Sequence, residues 1–474
     1  MSTSCCSELA ISLPSRVSFP HSEAYNLTEL SYWSTQEALL SPACIVTPTS
    51  SEEVSTFMST VTKITNCTFA IKGQGHAPAP GFANIDNGVT LDMTSLNQTA
   101  INDNKASASV GPGSAWVDVY RTLQPYNKTI AGGRNGAVGV GGLTVGGGIS
   151  YYSPQVGWTC DSVINFEIVL ASAEIVNANA TSYWDLFRAL KGGGNNFGIV
   201  TRIDFNTIDT VPLYAGYLFN PANQIENVLG AFAGIAASPD YDIHASIVTS
   251  LSFNSTSKTW SIVNIPQYTL PLSNPPIYAE LFSIPNITTS TKFSIQNIST
   301  LSAEPPFPQE YQLFRTSTYA APSITDASSL LIDIYHSLNN TLTTASSAVS
   351  PPGIGWSLAL EPLPSKFTAR SSDSIFGLNT TENAIIMLFS ISWTNGALSA
   401  AAHSLAQSLL KDMDGIAEAR GLLRPFRYYN YAGPEQDVIE SYGEKNVQFL
   451  KRVSRRYDPD GVFWRQVPGG FKLS

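Results

Sequence analysis

The stretch Ile71-Lys72-Gly73-Gln74-Gly75-His76-Ala77 governs how the rest of the chain is read. The β-prone run Phe69-Ala70-Ile71 leads straight into two glycines and a histidine. A strand ending in such a turn leaves consecutive backbone N–H groups facing one spot, as in phosphate-cradling loops, with the histidine at the rim. Taken alone, His76 reads as a satisfied surface-turn histidine. Two further glycine clusters tilt the reading toward a ligand. One is AGGRNGAVGVGGLTVGGGIS (131–150) and the other is GGGNNFG (192–198). Three separate loops suit one elongated, phosphate-bearing cofactor.

Other ligand classes fit less well. No GxxxxGK[ST] occurs, and from Gly139 the dinucleotide fingerprint meets Thr144 where its third glycine belongs, which argues against a nicotinamide cofactor on a doubly wound sheet. The five histidines are scattered and no CxxC or HxxxH is present, so no metal site is expected. A net charge of −10 argues against nucleic acid and anionic membrane surfaces, and no apolar run reaches the roughly 20 residues that span a bilayer.

N-x-S/T sequons recur from Asn26 to Asn379, and four of the five cysteines (Cys5, Cys6, Cys44, Cys67) lie in the first 67 residues. Two disulfides tying down an N-terminal arm are expected, with Cys160 left as a buried thiol. The expected compartment is extracellular, for a secreted glycoprotein whose signal peptide is absent from this chain.

Residues 1–40 read as irregular. Ser50-Ser-Glu-Glu53 reads as a helix start, with Val54, Phe57, Met58 and Val61 on its apolar face. A helix with Trp116, Val117, Tyr120 and Leu123 on one side follows. Ile164 to Asn177 reads as a hairpin turning at Ser172-Ala173. From about 210 to 425, strands (245–253, 260–268, 356–360, 384–393) alternate with helices, and the proline-rich 305–308 reads as a loop. The fold class is therefore α+β, with expected units at 1–208 (arm 1–40), 209–424 and 425–474.

CIVTP (44–48), the loop ending in Gly75-His76, ANIDNGVTLDM (83–93), VGVGGLTVGGGIS (138–150), GWTCDSV (157–163), GGGNNFGIVT (192–201), YYNY (428–431) and RYDPDGVF (456–463) occur in one order along the chain. In this set the chain resembles the FAD-linked oxidases of the vanillyl-alcohol-oxidase and berberine-bridge-enzyme type. The resemblance implies a two-domain PCMH-type FAD-binding fold, with a substrate domain inserted before a C-terminal segment that returns to the FAD domain. His76 falls where the family attaches the flavin C8α methyl covalently. Gly73, Gln74, Gly75 and Ala77 would bind the pyrophosphate, Gln74 standing in for a usual glycine, and Lys72 is a further implied cofactor contact. Asn135, Val138, Gly139, Gly141, Gly142, Gly146 and Gly147 would run beside the isoalloxazine; Gly198, Ile199, Val200 and Tyr431 are the remaining implied cofactor contacts. Many relatives form a second bond to flavin C6 from a cysteine at position 135. Asn135 implies a single attachment, and Val138 matches relatives that react with O₂.

Tyr428-Tyr429-Asn430-Tyr431 matches the family's Y-x-N-Y, whose first tyrosine often faces the flavin. Tyr428 is the expected base, oriented by Asn430, on condition that something lowers its pKa from about 10. Glu361 is the rival. The expected activity is an oxidase: hydride leaves an alcohol, amine or allylic carbon of a small biosynthetic molecule, and O₂ becomes H₂O₂. Oligosaccharide oxidation and a non-redox flavoprotein guiding a cyclisation are the alternatives. A monomer is expected, with the substrate and O₂ as its partners.

Overall fold

The computed structural model describes residues 2–303, 309–344, 350–371 and 374–473; the proline-rich stretch at 305–308 lies outside them. The run Phe69–Lys72 pairs in parallel with Val89–Asp92, which pairs in parallel with Cys44–Val46, and Val17–Ser18 closes this four-stranded sheet. A parallel edge of this kind releases the His76 loop at the C-terminal ends of its strands. Ser50 caps the helix Ser51–Val61 by accepting from the Glu53 N–H at 3.3 Å. That helix buries Val54, Phe57, Met58 and Val61 as its spacing predicts.

A second, antiparallel sheet runs in the order Thr99–Ile101, Ser107–Val110, Ile199–Asn206, Val163–Val169, Ile175–Asn179. Ala173 takes φ +70 in the tight turn of the last hairpin. The helix Trp116–Leu123 buries Val119 rather than the expected Val117, alongside Trp116, Tyr120 and Leu123. From Leu213 to Arg424 the chain builds one eight-stranded antiparallel sheet. The helices Ile225–Ala236, Ile324–Thr344 and Ser399–Ala419 join one of its faces in a common apolar core. Its other face mixes serine, threonine and glutamine side chains with apolar ones such as Val263, Phe314, Ile386 and Leu388. The segment after 425 returns to the first unit, where Tyr428, Val447 and Leu450 join the core around Trp116 and Trp158.

The N-terminal arm departs from the sequence reading. Instead of irregular chain it holds helices Ser2–Ser12, Glu23–Glu29 and Thr35–Ala38. The first is rich in serine and cysteine and has little intrinsic helical preference. Burial of Cys5, Cys6, Leu9 and Leu13 against the core around Ser51–Val61 holds it in place. Disulfides Cys5–Cys67 and Cys6–Cys44 pin it, and Cys160 is a buried free thiol. No helix among the described residues is long and apolar enough to cross a membrane. Cys6 and Cys44 are 38 residues apart, so replacing both by serine is expected to lower stability by about 3–4 kcal/mol in urea denaturation.

Candidate active site

The His76 loop is shaped by what lies beneath it. Lys72 is fully buried and pairs with Asp92 at 3.4 Å, with its ammonium 5.4 Å from the Tyr32 ring centroid. Its side chain is thus committed to Asp92 and Tyr32. Gly75 holds φ +69, and a Cβ there would come within 2.9 Å of Tyr32 Cδ1. Its carbonyl accepts from the Trp33 N–H at 3.1 Å. The Trp33 indole then stacks on His76, centroids 4.4 Å apart and planes 10° off parallel. Burial pushes the His76 imidazole down to about 4, so the ring is neutral near pH 7. Among the described residues, the N–H groups of Gln74, Gly75, His76 and Ala77 have no protein acceptor.

In the second loop, a Cβ on Gly146 would lie 2.1 Å from Asn430 Oδ1, and one on Gly147 would lie 3.0 Å from Phe376. The Cβ sides of these two glycines are taken up by the C-terminal segment and by Phe376, so side chains are excluded there by the protein itself. Gly139 and Gly141 are bounded by Gln74 and by Pro112, while a Cβ on Gly142 would meet nothing within 4 Å. Gln74 is tied in turn to the Gly113 carbonyl. Asn135 Oδ1 accepts from the Ala137 N–H at 2.9 Å, and Val138 gives its carbonyl to the Trp116 N–H at 3.1 Å. Gly198 packs on Ile168, and Ile199 and Val200 are paired strand residues.

Tyr428 is buried against Trp158. Its oxygen accepts from the Gly148 N–H at 3.1 Å and from Asn430 Nδ2 at 3.0 Å, and Asn430 also donates to the Leu143 carbonyl. Burial pushes its phenol up, against a smaller lowering by Asn430. The lowered pKa that Tyr428 needs as a base is not supplied by its protein surroundings. Its neighbour Tyr431 instead donates to Glu361 Oε1 at 2.7 Å. Arg134 donates to that same oxygen at 2.8 Å and to the Tyr431 hydroxyl at 2.7 Å. Burial works against the Arg134 charge, but Glu361 and then Tyr431 outweigh it and raise the guanidinium. Glu361 is 4% exposed, and its Oε2 is buried without a partner. Tyr428, Tyr431 and Glu361 therefore converge, with Arg134 at the centre. Arg134 went unassigned from sequence, although a lone cation inside a glycine loop (Gly132-Gly133-Arg134-Asn135-Gly136) was a usable signal. Lys191 and Arg202 are engaged away from these loops, Lys191 with the Val163 carbonyl and Arg202 with Glu167 and Asp204.

Residues 42–179 match the model of an FAD binding domain. The chain is 35% identical, over 99% of its length and 98% of the relative's, to the FAD-dependent monooxygenase sdcF of Emericella nidulans. Its fold matches the BBE-like 1 protein of Physcomitrella patens with a TM-score of 0.78 at 18% identity, covering 100% of this chain and 99% of that one. It also matches the glucooligosaccharide oxidase of Acremonium strictum with a TM-score of 0.76 at 20% identity, covering 99% of each chain. The chain belongs to the berberine-bridge-enzyme-like FAD-dependent oxidoreductases. It has their two-domain PCMH-type fold.

The geometry suits FAD. Four successive N–H groups, from Gln74 to Ala77, have no protein acceptor among the described residues and would be available to a pyrophosphate. Gly73 and Gly142 leave their Cβ sides open or nearly so. As a berberine-bridge-like enzyme, the chain also places a buried ion pair at its domain junction, which can be tested apart from catalysis. Arg134→Ala should cost about 3–5 kcal/mol in denaturant titration by stranding Glu361, and adding Glu361→Gln should recover part of that loss.

Proposed function

We propose that the chain is a secreted, monomeric FAD-dependent oxidase that holds its flavin through His76 alone. It removes hydride from an alcohol, amine or allylic carbon of a small biosynthetic molecule. The observation that carries this reading is the unpartnered Oε2 of Glu361. Bound FAD supplies the hydride acceptor and returns the electrons to O₂ as H₂O₂.

Removing hydride from an alcohol or amine requires a base for the O–H or N–H proton. Glu361 suits this better than Tyr428. Its Oε1 is held by Arg134 and Tyr431, which fixes the carboxylate plane and supplies the countercharge, so Oε2 is left to take the proton. Tyr428 acts as a positioning residue that anchors Gly148 and Asn430. Neutral His76, its plane set by Trp33, has a ring-nitrogen lone pair for attachment. The glucooligosaccharide oxidase carries a 6-S-cysteinyl, 8α-N1-histidyl FAD. With Asn135 where the family resemblance puts that cysteine, only the histidyl bond is open to this chain. The two disulfides and the dispersed sequons support secretion. The name of the Emericella relative favours a second reading, in which an oxygen atom from O₂ enters the product.

Acid precipitation should leave the wild-type flavin in the pellet and the flavin of His76→Ala in the supernatant. Glu361→Gln is expected to slow anaerobic flavin reduction by a factor of about 10² or more, with Tyr428→Phe changing it far less. The opposite ranking would return the proton to Tyr428. One H₂O₂ per product, with no label from isotopic O₂ in the product, separates the oxidase from the monooxygenase.

A further inference from the structure

The face of the eight-stranded sheet turned away from the helices carries a feature that the site above leaves unused. Along its central strands the side chains alternate. Leu251, Phe253, Trp356, Leu358, Phe389 and Ile391 enter the helix-covered core, while serines point the other way. The strand registers then align these serines. Ser261 lies opposite Ser252, Ser252 opposite Ser357, Ser357 opposite Ser390, and Ser390 opposite Phe314. Four strands spaced about 4.8 Å apart make this an in-register row about 14 Å long. Its far end reaches Phe314, which packs on Trp33 at 5.5 Å, and Trp33 stacks on His76.

Above the row lies a cavity of about 540 Å³, lined by these serines together with Trp33, Gln312 and Ser392. That volume is in the range that takes a small organic ligand. Among the described residues, its one ionisable lining residue is Glu310. Ser357 Oγ is linked to Ser250 Oγ at 2.9 Å and accepts from Ser252 Oγ at 3.2 Å. The hydroxyls of Ser390 and Ser392 have no protein partner among the described residues. Each hydroxyl can donate one hydrogen bond and accept two. A row of such groups without charge reads hydroxyls and carbonyls, and Glu310 at its side disfavours anions.

We propose that this serine row is a binding site for an uncharged molecule rich in hydroxyl and carbonyl oxygens, namely the part of the substrate remote from the reacting carbon. The second half of the statement rests on the proposed chemistry at Glu361. Glu361 is on the same strand and face as Ser357, four residues away, or about 13 Å. A substrate engaging both is therefore an extended molecule, too long for a single ring.

The test is calorimetric binding to the flavin-loaded protein, using resveratrol, its trimethyl ether and cellotriose. Resveratrol and cellotriose are neutral hydroxylated probes, one aromatic and one a sugar; the ether lacks the hydroxyl donors. At least one hydroxylated probe should bind to the wild type, and resveratrol, if it is the one, should bind more tightly than its ether. Ser390→Ala/Ser392→Ala should weaken that binding about tenfold while leaving the melting temperature and flavin spectrum unchanged, because neither hydroxyl has a protein partner to lose. Binding of resveratrol alone assigns the site to aromatic ligands, and binding of cellotriose alone assigns it to carbohydrate. Binding of neither, equal binding of resveratrol and its ether, or undiminished binding to the double variant overturns the proposal. A substrate that bleaches the flavin equally well in wild type and double variant would leave the oxidase intact and remove the serine row. The reverse pattern, probe-dependent binding with a flavin that no substrate reduces, would retain the row and remove the oxidase.

Discussion

Three distant parts of the chain meet in one buried ion pair. Arg134 comes from a glycine loop of the N-terminal unit, Glu361 from the middle of the eight-stranded sheet, and Tyr431 from the segment that returns at the end. Withdrawing two charges from water is expensive, and the pair is tolerable only with close geometry and further hydrogen bonds. The surrounding structure provides both. Tyr151 donates to the Arg134 carbonyl at 3.0 Å, and Tyr428 and Asn430 lock the neighbouring loop at Gly148 and Leu143. The domain junction is thereby set where a carboxylate oxygen is left over, so a structural constraint and a chemical resource share one side chain.

A second fastening crosses the same junction from the other end of the chain. Residues 32–37 lie between the His76 loop and the strand Tyr311–Ala320. Thr35 N–H donates to the Glu310 carbonyl at 2.9 Å, and the Gln36 side chain takes the Gln312 N–H while donating to the Pro78 carbonyl at 2.7 Å. The Glu37 carboxylate accepts from the Ala83 N–H at 2.7 Å. Main-chain groups on both sides are satisfied by one short segment, which explains why an arm so poor in helix formers is ordered. Disulfides further upstream hold that arm to the first sheet.

Much of this was legible in residues. The Ser50 cap, the alternation of the long strands, the paired cysteines and the strand-to-glycine entry at His76 are local signals, and each was found where the sequence put it. The misses share a cause. Arg134 and Glu361 are separated by 227 positions, so neither residue's neighbours reveal the pair. The sequence around Gly146 and Gly147 likewise gives no sign that Phe376 and Asn430 fill the space beside them. Burial raises the phenol of Tyr428, and burial of a single tyrosine is a tertiary property. The arm helices form against intrinsic preference because packing and disulfides override it.

The serine row is the sharpest case of information held in register alone. Serines are common along this chain, and those at 252, 261, 357 and 390 are unremarkable on their own strands. Period-two alternation puts each on the same side as its neighbours, and the hairpin registers bring them level. A slip of one residue in any pairing would turn that strand's hydroxyls into the helix-covered core and its leucines or phenylalanines outward. The apolar packing of Leu251, Phe253, Trp356, Leu358 and Phe389 therefore fixes the polar row on the opposite face. The helix-covered core specifies the surface that meets a ligand, and a core substitution that loosened register would disturb recognition before it touched the ion pair.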